Sequence, residues 1–180
     1  MKKLILLSLF FVLGVSTVNA QGIRFGVKGG ANFSNFSGNE ADIYDNLTSF
    51  YAGALVEINV FQNFSVQPEI LYSSQGAKVE GFDDIKLDYI NVPVLAKFYL
   101  ITDKLSLEAG PQFGFLINDG FDAEDAVETN SFDFAAIGGA SFNITDKFFV
   151  QARYVVGLTD TTKDAEVKNT TIQLGVGYRF

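Results

Sequence analysis

The segment Thr170-Thr171-Ile172-Gln173-Leu174-Gly175-Val176-Gly177-Tyr178-Arg179-Phe180 decides the fold. Thr170, Ile172, Leu174, Val176, Tyr178 and Phe180 fall on one side of an extended chain, and Thr171, Gln173, Gly175, Gly177 and Arg179 on the other. A period of two over this length is the mark of a strand with one apolar and one polar face. The pattern recurs upstream: Leu105, Leu107, Ala109, Pro111, Phe113, Phe115 and Ile117 share a face, as do Ile23, Phe25, Val27, Ala31 and Phe33 opposite Arg24, Lys28 and Asn32.

Working outward, the alternation predicts a first strand from Ile23 and seven more over 49–60, 64–77, 86–100, 104–117, 131–144, 147–158 and 169–180. Each is near or above the length that a tilted strand needs to cross a bilayer, about 9–11 residues. The links alternate in length. Those at 61–63, 101–104 and 144–147 are short, and those at 34–48, 78–85, 118–130 and 159–168 are long. The tetrapeptide Ile-Thr-Asp-Lys occurs at both 101–104 and 144–147, and is read as turn chemistry before duplication.

Residues 1–20 read as a cleaved secretory leader: Lys2 and Lys3, an apolar stretch from Leu4 to Val15, and Val18-Asn19-Ala20 as the cleavage site. Residues 21–180 then form one domain, and losing two lysines takes the formal charge from -8 to -10. With no cysteine, disulfide scaffolds, zinc-thiolate sites and cysteine nucleophiles are excluded. With no histidine, the usual general base and imidazole metal ligands are missing. Gly29-Gly30 and Gly175-Val176-Gly177 lack the spacing and following helix of a phosphate loop. The acidic balance argues against nucleic acid as a partner. The reading is therefore a non-enzymatic protein with no catalytic residue, cofactor site or metal site.

Volume separates a membrane barrel from a soluble one. Eight apolar faces of this size would overfill the interior of an eight-stranded barrel, which holds side chains or one small ligand. Turned outward, they meet lipid, and closure satisfies every backbone group without water. Phe33, Phe50, Phe64, Tyr72, Phe98, Phe132, Phe148, Tyr154 and Phe180 lie toward strand ends on that face, as interfacial girdles require. The alternative for these rings is the core of a two-sheet sandwich. The opposite face carries Gly26, Gly30, Gly53, Gly110, Gly139, Gly175 and Gly177 beside Gln151 and the ionic set Arg24, Lys28, Glu57, Glu69, Lys97, Glu108, Arg153 and Arg179. That set is read as a structural network plugging the lumen, with a gated pore as the alternative.

The fold class is thus an all-β, eight-stranded antiparallel up-and-down transmembrane barrel in the outer membrane. Its four longer loops face outside and its short turns face the periplasm. The loops are acidic: Glu40, Asp42 and Asp45; Asp83 and Asp84; Asp119, Asp122, Glu124, Asp125 and Glu128. Solvated tips account for this without a bound ion. Calcium or bridging to lipopolysaccharide is the alternative.

Several segments carry a family likeness: Asn19-Ala20-Gln21, Gly26-Val27-Lys28-Gly29-Gly30-Ala31-Asn32, Gln67-Pro68-Glu69 with Leu71-Tyr72, Tyr89-Ile90-Asn91-Val92-Pro93, and Gly177-Tyr178-Arg179-Phe180. With them the chain resembles the Bacteroidetes outer-membrane β-barrel family that includes PorT-like proteins, and more distantly the small OmpA/OmpX-type barrels. The resemblance implies contact with outer-membrane lipid and lipopolysaccharide, and recognition of the strand ending in Phe180 by barrel-insertion machinery. It also implies a docking or accessory role beside envelope or secretion proteins, and supplies no catalytic residue. A barrel that transports or holds a small solute is the other functional expectation.

Overall fold

A computed structural model describes residues 22–38, 44–79, 85–119, 131–159 and 167–180. The leader expected at 1–20 lies outside them. Eight strands run in chain order: β1 Ile23–Gly38, β2 Tyr44–Phe61, β3 Phe64–Val79, β4 Ile85–Ile101, β5 Leu105–Asp119, β6 Phe132–Asn143, β7 Phe148–Gly157 and β8 Val167–Arg179. Each pairs antiparallel with the next, and β8 returns to β1, so the sheet closes into a barrel with no free edge strand. No helix among the described residues is long and apolar enough to cross a membrane; the strands make the crossing.

Three short turns close one end. Asp103, in the turn after β4, takes a positive φ of 55°, a conformation that aspartate tolerates better than branched residues do. Lys104 N–H donates to the carbonyl of Ile101 across it. In the turn after β6, the Thr145 hydroxyl accepts from the N–H groups of Lys147 and Phe148. The repeated tetrapeptide therefore sits in turns, though the two are built differently.

The strands at the other end exceed expectation. The segment expected as a loop over 34–48 is mostly strand: Ser34 pairs with both Leu47 and Thr171, and β1 continues to Gly38 against Val167. The sequence hid this because the apolar face ends at Phe33. A strand that has left the bilayer has no lipid to face, so the ladder outlasts the alternation.

The apolar face is outward, as the volume argument requires. Val27, Ile70, Leu107, Ile117, Ile172, Leu174 and Val176 are all exposed. Ring pairs mark two belts. Phe61–Phe64 at 6.4 Å, Phe148–Tyr178 at 4.9 Å and Tyr178–Phe180 at 5.6 Å ring the turn end. Phe50–Tyr72 at 5.6 Å, Phe113–Phe134 at 5.5 Å and Phe115–Phe132 at 5.7 Å lie toward the far end. The core of a two-sheet sandwich does not describe rings in these positions, since most of them are exposed on a closed barrel.

The lumen is less polar than the ionic set alone suggests. Tyr51, Leu55, Leu71, Leu87, Tyr89, Leu95, Ile137, Phe149 and Val155 are buried inside it. Glycines on facing strands make room for them. A Cβ on Gly175 would strike the Tyr51 hydroxyl and lie 2.8 Å from the Gly29 carbonyl oxygen, and one on Gly177 would strike the Phe149 ring. Gly175→Ala is therefore expected to cost about 1–3 kcal/mol of stability, the ordinary penalty for overpacking. Gly138→Ala, where the added carbon meets nothing within 4 Å, is the control. Equal urea midpoints for the two variants would remove the steric account.

Candidate functional site: the lumen network

The inward ionic residues converge because the register aligns them. Glu108 faces Lys97 across β4–β5 and Gly139 across β5–β6, and Gly139 in turn faces Arg153. At Gly139 an added Cβ would sit 2.9 Å from the Arg153 Cγ, so the missing side chain is what lets the arginine lie across the lumen.

Arg153 is the hub of the middle layer. Its Nη1 and Nη2 each donate at 2.8 Å to the two oxygens of Glu69, and its Nε donates at 2.5 Å to Glu108 Oε1. Lys28 Nζ reaches Glu69 Oε2 at 2.6 Å. Ser141 donates to Glu108 at 3.3 Å. The forked guanidinium-carboxylate contact fixes both partners in one plane, a geometry that lysine could not reproduce.

A second layer lies toward the turn end. Arg179 Nε and Lys97 Nζ stand 3.0 and 3.6 Å from Glu57 Oε2. The Tyr99 hydroxyl donates a short hydrogen bond to the other oxygen of Glu57. The Arg179 guanidinium rests 4.4 Å from the Phe149 ring centre, and its Nη1 donates to Asn143 Oδ1 at 2.9 Å. Gln67 joins the layers, accepting from Lys97 at 3.1 Å and donating to Glu69 at 2.6 Å. Except for a trace of surface on Arg179, the side chains of these ion pairs are wholly enclosed.

Seven of the eight expected residues therefore form one connected network. Arg24 stands apart: it pairs with Asp103 at 3.6 Å at the turn-end rim, where its side chain is 35% and that of Asp103 65% exposed. Sequence reasoning missed Tyr99, Gln67 and Phe149, which hold the network in place. Strand phase contains the signal for them, because a position two or four residues from an inward charge is also inward.

A further cluster fills the outer half of the lumen beside β1, β3 and β8. Asn32 donates to Ser73 Oγ at 2.9 Å and to the Ser74 carbonyl at 2.7 Å, and accepts from Gln173 at 3.0 Å. Ser34 and Thr171 bond at 2.9 Å, and Asn169 donates to Gln75. The acidic loop residues lie largely outside the described residues, among which no group of three or more acidic side chains is placed to hold a metal.

This closed, lipid-faced barrel with an ion-paired lumen can be set beside known proteins. The outer membrane protein beta-barrel domain family matches residues 19–163. The chain belongs to that family. It is an outer-membrane protein; the matched residues hold β1 to β7, and β8 closes the barrel. No match was found among curated proteins.

Solved barrels of the same fold include Neisserial surface protein A, with a TM-score of 0.60 and 15% identity over 89% of this chain and all of that one. Ail of Yersinia pestis, solved with the heparin analogue sucrose octasulfate, gives 0.58 and 19% identity over 89% of this chain and 100% of Ail. OprG of Pseudomonas aeruginosa gives 0.53 and 13% identity over 88% of this chain and 96% of that one. At these identities the likeness is one of fold.

Proposed function

We propose that the protein is a non-enzymatic, non-conducting barrel that serves the outer membrane as a structural or docking component. The observation that carries this reading is the Lys28–Glu69–Arg153–Glu108 layer, whose ion-paired side chains have no accessible surface. An ion entering the lumen would have to break several charge-assisted hydrogen bonds at once. Each partner left unpaired in a low-dielectric interior raises the barrier further. Arg24, at the exposed rim, contributes little to the plug.

The outer ends of the strands and the long acidic loops are then the contact surface, since loops on a rigid scaffold are where binding concentrates. Resemblance to PorT-like proteins supports an accessory role in protein secretion. In the same reading residues 1–20 are the cleaved leader, insertion machinery reads the strand ending in Phe180, and lipopolysaccharide surrounds the outer belt.

Purified protein in planar bilayers tests the plug: silence is expected under an applied voltage. Steady, solute-blockable channels would overturn the docking reading in favour of transport. A clean deletion with complementation addresses the secretion role. Selective loss of exported proteins from an intact envelope supports it, and unchanged export removes it.

A further inference from the structure

The outer half of the lumen is divided. Beside β1, β3 and β8 each amide makes at least one hydrogen bond, through Asn32, Gln75, Asn169 and Gln173. Two of these amides still keep an unbonded oxygen, Asn169 Oδ1 and Gln173 Oε1, but beside β4 and β5 the shortfall is greater. Asn91 is 1% exposed, yet neither its amide nitrogen nor its amide oxygen has a partner, and Gln112 Oε1 has none either. A buried orphan polar atom typically costs about 1–3 kcal/mol. Asn91, unpartnered at both atoms of its amide, therefore requires a reason.

Asp133 stands in the same row. The register aligns Asn91 with Gly114 and Gly114 with Asp133. A Cβ on Gly114 would lie 2.9 Å from Asn91 Oδ1 and 3.2 Å from the Asp133 Cβ, so the glycine leaves both side chains free to lean together. Thr159 donates to Asp133 Oδ1 at 2.7 Å. Among the described residues no lysine or arginine pairs with Asp133, whereas Glu57, Glu69 and Glu108 each carry at least one cation. Asp133 is only partly buried, whereas Asn91 and Gln112 are buried.

The rows below supply the rest. Gln112 pairs with Pro93 and Ala135 in the next row. Beneath it Leu95, Ala135, Ile137 and Val155 form one buried apolar cluster. From the mouth inward the wall thus presents a carboxylate with no cation among the described residues, two unbonded amide oxygens with the unbonded Asn91 amide nitrogen, and a hydrocarbon floor. Three groups there can accept, Asp133, Asn91 and Gln112, against one unbonded donor, Asn91 Nδ2. A primary ammonium has three N–H donors, one positive charge and no acceptor.

We propose that Asp133, Asn91 and Gln112 form a binding site for a small primary alkylammonium ion, its alkyl group resting on the Leu95–Ile137–Val155 floor. Asp133 supplies the counter-charge. The Asn91 amide turns toward the bound donor at no loss, because it has no hydrogen bond to break. The ionic layer lies deeper in the lumen, so the site is a cup that holds its ligand without passing it. It does not depend on whether the barrel docks a partner.

The test uses full-length barrel in maltoside micelles, in amine-free phosphate buffer, titrated with n-butylammonium and followed by amide NMR. Saturable shifts confined to β4, β5 and β6 are expected. n-Butanol, which lacks the charge, and n-butyltrimethylammonium, which lacks the N–H donors, should bind at least about tenfold more weakly, a difference of about 1.4 kcal/mol. Asp133→Asn should weaken n-butylammonium by a similar factor. Asn91→Leu, which removes the orphan amide without adding a charge, should do the same if Asp133→Asn folds poorly. No saturable shift, equal response to n-butanol, or unaltered binding by a folded Asp133→Asn would overturn the site.

Discussion

Replacing Glu69 by alanine is expected to lower the stability of the barrel by about 3–5 kcal/mol, the range seen when one partner of a buried ion pair is removed. Among the described residues Glu69 is the only carboxylate paired with Lys28, and it takes both Nη groups of Arg153. The enclosed network already holds four cations, Lys28, Lys97, Arg153 and Arg179, against three carboxylates, Glu57, Glu69 and Glu108. Without Glu69, Lys28 loses its ion pair, and Glu108 alone is left to balance both Lys28 and Arg153. Arg24→Ala is the control, expected to change stability by no more than about 1 kcal/mol because its pair with Asp103 is solvated. Urea unfolding in lipid vesicles, followed by far-ultraviolet circular dichroism, gives both values. If Glu69→Ala leaves stability intact and opens ion conductance, the ionic set gates a pore and is no structural plug.

That network was legible in the sequence to a limited depth. Period-two alternation determines which residues share a face, and the volume of the apolar face determines which face meets lipid. Lys28, Glu57, Glu69, Lys97, Glu108, Arg153 and Arg179 follow from those two steps. Which charge meets which does not, because pairing depends on the closing register: Arg153 of β7 reaches Glu69 of β3 across the lumen. The apolar lumen residues were within reach of the same phase argument. Glu57 inward places Leu55 and Tyr51 inward, Glu69 places Leu71, and Lys97 places Leu95. What phase alone does not show is why they are tolerated. Tyr51 is aligned with Gly30 and reaches toward Gly175, and Phe149 lies over Gly177, so large and small residues complement each other across neighbouring strands. The ammonium cup is illegible for a related reason. Asn91, Gln112 and Asp133 are ordinary polar residues until the register aligns them, with both atoms of the Asn91 amide and Gln112 Oε1 unbonded and no cation on Asp133 among the described residues.

Leu174→Arg is the second large effect, expected to cost about 2–4 kcal/mol, the range for arginine on the lipid face at mid-bilayer. Leu174 is 48% exposed and outward, and is aligned with Ala31 on β1 and Ala152 on β7. The depth of the position sets the magnitude. Leu174 lies between the belt around Phe148, Tyr178 and Phe180 and the belt toward the far ends, so an arginine there is remote from both headgroup regions. Phe180→Arg, at the turn-end belt, places the same charge where the side chain can extend into water. Its cost should approach about 0–1 kcal/mol before the loss of ring contacts is counted. The exposure of Leu174 would count little in water, since single exposed leucines are common on soluble proteins. The contrast between the two positions is therefore a property of the solvent around the barrel. Urea unfolding in vesicles should show a large deficit for Leu174→Arg and a smaller one for Phe180→Arg. Equal deficits would mean that the apolar face is not graded by membrane depth and that the aromatic belts do not mark the membrane's two boundaries.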